Sequence, residues 1–135
     1  MFVIIDEAEL HRPCGGVNVR LTQYGYRNDP YMDRETRAGH GAYHNLSRGE
    51  SIALTDSVLR MLGLTRSEVQ HHHRWVQLKV RCGGTMLRRI DDRCPNGVGG
   101  HRYEPRVDLY QRDGYDGRLP DYADVQLVPR ARAVR

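Results

Sequence analysis

The sequence predicts a small, mainly β domain: a barrel of short strands with one or two short helices. Three observations carry that reading. Val17–Tyr24 and Trp75–Cys82 alternate apolar and polar residues with the period of two of a half-buried strand. Gly83-Gly84 stands between Trp75–Cys82 and a second apolar stretch, Thr85–Asp91, where a two-residue hairpin turn belongs. Only one segment, about Asp56–Leu62, has helical spacing of its apolar residues. Many short strands with little helix, in a chain of 135 residues, suggest one domain closed into a small barrel.

The elements follow in order. Phe2–Ile5 is a short apolar run, read as an added edge strand, so residues 1–16 form an N-terminal strand and loop before a single barrel domain at 17–135. Val17, Val19 and Leu21 alternate with Asn18, Arg20 and Thr22, and the strand runs on toward Tyr26. From Arg27 to Gly41 the chain reads as loop, a long connection of the kind that carries function or mobility. Ser51–Leu54 is a brief apolar segment. Thr55 or Asp56 can cap the helix after it, with Val58, Leu59 and Leu62 as its apolar face and Gly63 as its stop. Thr65–Arg74 is polar and reads as a solvated loop, including His71-His72-His73: three adjacent histidines cannot all face one metal from regular structure. Thr85–Asp91 and Val107–Tyr110 are strands, and Val125, Leu127 and Pro129 close the fold.

Composition narrows the function classes only partly. Mean hydropathy is −0.71 and no run nears the ~20 apolar residues of a membrane span, so no membrane partner is expected. The N-terminus lacks the basic lead and long apolar region of a conventional signal peptide. A net charge of +4 suits an anionic polymer, whether nucleic acid, anionic lipid or an acidic wall polysaccharide, and does not choose among them. The three cysteines, Cys14, Cys82 and Cys94, are an odd set without C-x-x-C spacing, which argues against a zinc ribbon. Cys82 and Cys94 flank the same hairpin and its exit, and are expected nearer each other than either is to Cys14. No metal or cofactor is expected.

The candidate chemistry lies in acids carried on strands. Asp91 and Asp92 end one apolar strand, a turn-rich loop follows, and Asp108 sits in the next strand between Val107 and Leu109. Acids are depleted in strands, and a buried charge is costly unless paired or neutralised. The apolar flanks and the nearby Asp92 are expected to raise the pKa of Asp108. Tyr24, Tyr26, Tyr31 and Tyr43 gather near Asp29 and Asp33, and flat aromatic faces beside polar groups suit sugar rings.

The order of motifs resembles the double-psi β-barrel shared by expansins, family 45 endoglucanases, rare lipoprotein A-type proteins and the barrel of membrane-bound lytic transglycosylase A. The residues that carry it are Thr22-Gln23-Tyr24-Gly25, Ala42-Tyr43-His44-Asn45-Leu46, Ile52–Leu59 with Gly63, Asp91-Asp92-Arg93-Cys94-Pro95 and Arg106-Val107-Asp108-Leu109. They span about residues 17–134. Arg106 and Val107 stand where the family motif has His and Phe, and the disulfide-rich expansin pattern is absent. The resemblance implies a closed six-stranded barrel acting on cell-wall glycan, peptidoglycan sooner than cellulose. It implies Asp108 as proton donor and Asp92 beside it. Thr22 and Tyr24 would line a groove. Tyr26, Asp33, Tyr43, Arg93 and Tyr110 are read as further substrate-binding candidates, and Asp29 and Asp33 sit in the loop from which a base across the groove would come.

Delivering a proton to a glycosidic oxygen needs an acid whose pKa approaches the working pH. An inverting hydrolase needs a second carboxylate across the groove. A lytic transglycosylase does not, because the muramyl hydroxyl is its own nucleophile. Three classes stay open: a glycan-cleaving enzyme, a non-lytic wall-binding or wall-loosening module, and, third, a nucleic-acid binder using Arg88, Arg89 and the C-terminal arginines. The first two place the protein outside the cytoplasm as a monomer, delivered by lysis or a specialised secretion machine.

Overall fold

The computed structural model describes residues 17–30, 32–80, 84–94, 105–112, 114 and 120–129. The strands are β1 (Val17–Tyr24), β2 (Ser51–Leu54), β3 (Trp75–Val80), β4 (Gly84–Arg93), β5 (Arg106–Tyr110) and β6 (Tyr122–Leu127). Three short helices interrupt them: α1 (Arg34–Arg37), α2 (Asp56–Met61) and α3 (Arg66–His71). The fold is mainly β, and its strands form a closed barrel in the order β1-β5-β2-β4-β3-β6.

Two parallel pairs, β1 with β5 and β2 with β4, sit among antiparallel ones. Advancing every strand by three positions maps this pairing onto itself. The β1–β5 pair becomes β4–β2, both parallel, and β1–β6 becomes β4–β3, both antiparallel. The halves β1–β3 and β4–β6 therefore interlock with a two-fold pattern.

The period-two alternation sorts side chains between two faces. Val19, Leu21, Ile52, Leu54, Val76, Leu78, Ile90, Val107, Leu109, Ala123 and Val125 fill the barrel as one buried cluster. Register matches this: Leu21 faces Val107, Ile52 faces Leu109 and Ile90, and Leu78 faces Val125. Val58, Leu59, Leu64 and Val69 join the cluster from α2, α3 and the turn between them.

The helix expected at Asp56–Leu62 is α2, which ends at Met61 with Leu62 as its C-cap. Thr55 stands at its N-cap without a side-chain cap bond; its Oγ1 instead accepts the Arg106 N–H at 3.1 Å. The other two helices occupy segments read as loop. Thr65 accepts the Glu68 N–H at 3.2 Å, and Val69 is fully buried, so Thr65–Arg74 is anchored by a capping arrangement and one apolar residue. Asp33 caps α1 by accepting from Thr36 N at 2.8 Å. The last strand starts at Tyr122, before the expected Val125. The edge strand expected at Phe2–Ile5, and Cys14 and Cys82 with their expected proximity to Cys94, lie outside the described residues, as does Tyr31. The turn expected at Gly83-Gly84 is not a two-residue one, because Gly84 already belongs to β4 and pairs with Val80. The β3–β4 pairing that the hairpin reading requires is present from Trp75–Arg89 to Val80–Gly84. No helix among the described residues is long and apolar enough to cross a membrane.

Candidate functional site

Because Val19 and Leu21 of β1 fill the barrel, Thr22 and Tyr24 face outward together. Thr22 is registered against Asp108 on β5, Asp108 against Ala53 on β2, and Ala53 against Asp92 on β4. Thr22, Asp108, Ala53 and Asp92 thus form one row across four adjacent strands, on the outer wall of the barrel. The two aspartates stand two strand spacings apart, roughly 9–10 Å between backbones, with Ala53 between them in the row. No local signal in the sequence marks Ala53; it matters because its register partners are the two acids.

Asp92 reaches this face through a bulge. The β2–β4 register steps from Ile52–Ile90 to Ala53–Asp92, leaving Asp91 as the extra residue. A bulge re-aims the residues after it, and the result here is three successive buried residues, Ile90, Asp91 and Asp92.

The two acids are held differently. Asp92 accepts backbone N–H groups from Ala42 and Arg93 at 2.8 Å each on Oδ1, and the Tyr24 hydroxyl at 3.0 Å on Oδ2. Burial pushes its carboxyl up, and those donors pull it back down. Asp108 accepts the Thr22 hydroxyl at 2.8 Å, and the Cys94 sulfur lies 3.9 Å from its other oxygen. It is part-exposed, yet loss of solvation raises its pKa to about 6, opposed by Thr22 and Arg106 and reinforced by Asp29 and Asp92. Val107 and Leu109 point into the barrel, away from the carboxyl, so they are not its apolar cover. Thr22 and Cys94 are the groups in contact with it on the outer face.

Arg106 has a structural partner of its own. Buried at the head of β5, it donates from Nε and a terminal nitrogen to the Cys94 sulfur at 3.1 and 2.7 Å. Burial and the Asp108 charge nonetheless push the thiol up to about 11, with Arg106 acting in the opposite direction. Arg106 and Cys94 were not among the residues expected to line the site, although Cys94 lies inside the Asp91–Pro95 motif.

The remaining candidates are distributed unevenly. Tyr24 packs against Tyr110 with ring centroids 5.4 Å apart, and burial and the two acids hold its phenol well above its ordinary value. Tyr110 is only 3% exposed and supports Tyr24 from behind. A side chain at Gly25 would collide with the Tyr110 ring, and its φ of +75° is one glycine adopts freely. Asp29 is 4% exposed and accepts the Gly25 N–H at 2.8 Å, so it pins the turn after β1. Its own N–H donates to Tyr26 C=O at 3.1 Å, which places Tyr26 in the same turn. Asp33 is committed to capping α1, and Thr36 holds its carboxyl below the usual range. Tyr43 is half-buried against the core, its phenol raised by burial and by Asp56. Arg93 grips Asp56 with two bonds of 2.9 and 2.7 Å, fastening the end of β4 to the start of α2.

The structure therefore brings Thr22, Tyr24, Asp92 and Asp108 together and gives Asp29 and Asp33 structural work. A comparison with protein-family models, with curated proteins and with solved structures gives no match to this chain.

Proposed function

We propose that the protein acts on cell-wall glycan, cleaving peptidoglycan with Asp108 as its one general acid. The observation that supports this most is the setting of Asp108: part-exposed on the outer face, bonded by Thr22, with loss of solvation pushing its carboxyl up to about 6. Such an acid keeps a substantial protonated fraction at mildly acidic pH and returns readily to the carboxylate, as a proton donor must. The barrel's two parallel pairs and interlocked halves favour the double-psi reading, in which a strand-borne aspartate has this role.

The other three candidate aspartates favour a mechanism with one acid. Each of Asp29, Asp33 and Asp92 accepts backbone N–H groups, while Asp108 takes none among the described residues. A carboxylate spent on such donors is a poor base for water. The lytic transglycosylase form then follows. Asp108 gives its proton to the glycosidic oxygen as the C1–O bond breaks. The 6-hydroxyl of the same muramyl residue attacks C1, and its proton returns to Asp108. Asp92, carried within the same row, disfavours charge on Asp108 and so keeps it protonated to higher pH.

The test is incubation with purified peptidoglycan and analysis of the released fragments. Anhydro-muropeptides from the wild type, and their loss by about 100-fold or more in Asp108→Asn, are expected. Asp29→Asn and Asp33→Asn, if folded, should retain cleavage. New reducing ends in place of anhydro ends would shift the reading to a hydrolase. Binding to sedimented peptidoglycan with no fragment released would establish the alternative, a non-lytic expansin-like wall-binding module. Full activity in Asp108→Asn would refute the mechanism.

A further inference from the structure

Behind the bulge, on β4, a second cluster has no part in the glycan reading. His44, His73 and Asp91 come from three separate segments, and each offers a ligand atom such that all lie within 4.8 Å of one another. We propose that these residues form a zinc site that fastens the 39–46 loop and the end of α3 to the barrel wall.

Two of the three ligands, His44 and Asp91, are held by contacts of the kind a metal ligand has. His44 Nε2 lies 2.6 Å from Val69 C=O. A carbonyl only accepts, so Nε2 carries the proton and Nδ1 keeps its lone pair. Metal-bound histidines commonly donate their second ring nitrogen in this way. Asp91 is fully buried and oriented by Ser51 Oγ at 2.5 Å and Arg89 Nε at 2.9 Å. Hydrogen-bonded carboxylates are the usual partners of such imidazoles. Arg89 brings a positive charge to this neighbourhood. Its terminal nitrogen turns toward Glu50 at 3.5 Å, and its guanidinium lies 5.5 Å from the centre of the Trp75 ring. His73 is exposed, and its ring centroid is 4.3 Å from that of His44.

The backbone fixes His44 as firmly as its side chain does. The N–H groups of Tyr43 and His44 both donate to Asp91 C=O at 3.0 Å. A Cβ at Gly41 would strike that same carbonyl oxygen, so the loop approaches β4 as closely as only glycine allows. Asp91 is thus bound to the His44 loop by its main chain and faces His44 with its side chain. Tetrahedral zinc places its ligand atoms about 3.4 Å apart. The three ligand atoms, within 4.8 Å of one another, would have to draw together by on the order of 1 Å to reach that spacing. Two imidazoles and one carboxylate are a donor set that suits zinc, with a fourth position left for water.

The experiment uses the full chain, stripped with a chelator and desalted, then titrated calorimetrically with zinc chloride. One saturable zinc ion per chain is expected. At ~100 times the dissociation constant, zinc should raise Tm by a few degrees. Cobalt in place of zinc should give the visible absorption of a four-coordinate site. His73→Ala, at an exposed position that leaves the fold intact, should weaken zinc binding by at least about tenfold and abolish the rise in Tm. His72→Ala should bind zinc as the wild type does. The proposal is overturned if the wild type shows no saturable one-to-one binding. It is also overturned if His73→Ala binds as tightly as the wild type, which would lodge the metal elsewhere, or if His72→Ala loses as much. None of these readouts depends on glycan cleavage.

Discussion

Asp108 illustrates how a functional acid carries a cost to stability. Its folded pKa of about 6 lies above the ordinary 3.8, so the charged form is disfavoured in the native state. The penalty is absent below about pH 4, where both states are protonated, grows as pH rises toward 6, and is complete above that. Asp108→Asn keeps an oxygen for the Thr22 hydroxyl and removes the charge. It is expected to be more stable than the wild type at pH 7–8 by on the order of 1–3 kcal/mol. The advantage should vanish below about pH 4. Urea melts of both proteins at pH 3.5, 5 and 7.5 measure this directly; equal differences at all three would show that Asp108 is not perturbed. The sequence points to Asp108 and to a raised pKa, with Asp92 as one cause, which the structure supports, and desolvation by Val107 and Leu109 as the other. Alternation along a strand sends those neighbours to the opposite face, and the desolvating cover comes from other segments.

At the scale of the element, the helices show which local signals were present and unused. Thr65-Arg66-Ser67-Glu68 is a capping-box spacing, and Val69 follows it as the one residue of α3 that is buried. The polar residues and three histidines around it mask this signal in the sequence. Thr65→Ala removes the acceptor for the Glu68 N–H and should cost about 1 kcal/mol of stability, measurable by thermal or denaturant melts. A loss under a few tenths of that would mean α3 is held by Val69 alone. The bulge in β4 had no comparable signal. Two consecutive aspartates read equally well as a strand end, and only pairing against β2 shows that Asp91 is the inserted residue.

The whole molecule depends on closure between residues distant in sequence. β6 pairs with both β1 and β3, and Val125 lies fully buried between Val17 and Leu78 at that seam. Val125→Ala should destabilise the protein by about 2 kcal/mol through the cavity it leaves. A denaturation midpoint unchanged by this substitution would place the seam outside the cooperative unit. The interlocked halves left no trace as a sequence repeat, because β-barrel packing asks only for apolar residues at alternate positions, and many sequences satisfy that. The sequence by itself determined the local matters: where chain segments are strands, which side chains face the core, where α2 begins, and that a strand-borne aspartate lies near others. Those follow from periodicity and turn chemistry, which act over a few residues. The tertiary structure alone decided which acids share a row, which are spent on backbone donors, and that His44, His73 and Asp91 converge. Each of those depends on strand register and order, and register is set by the packing of the closed barrel as a whole.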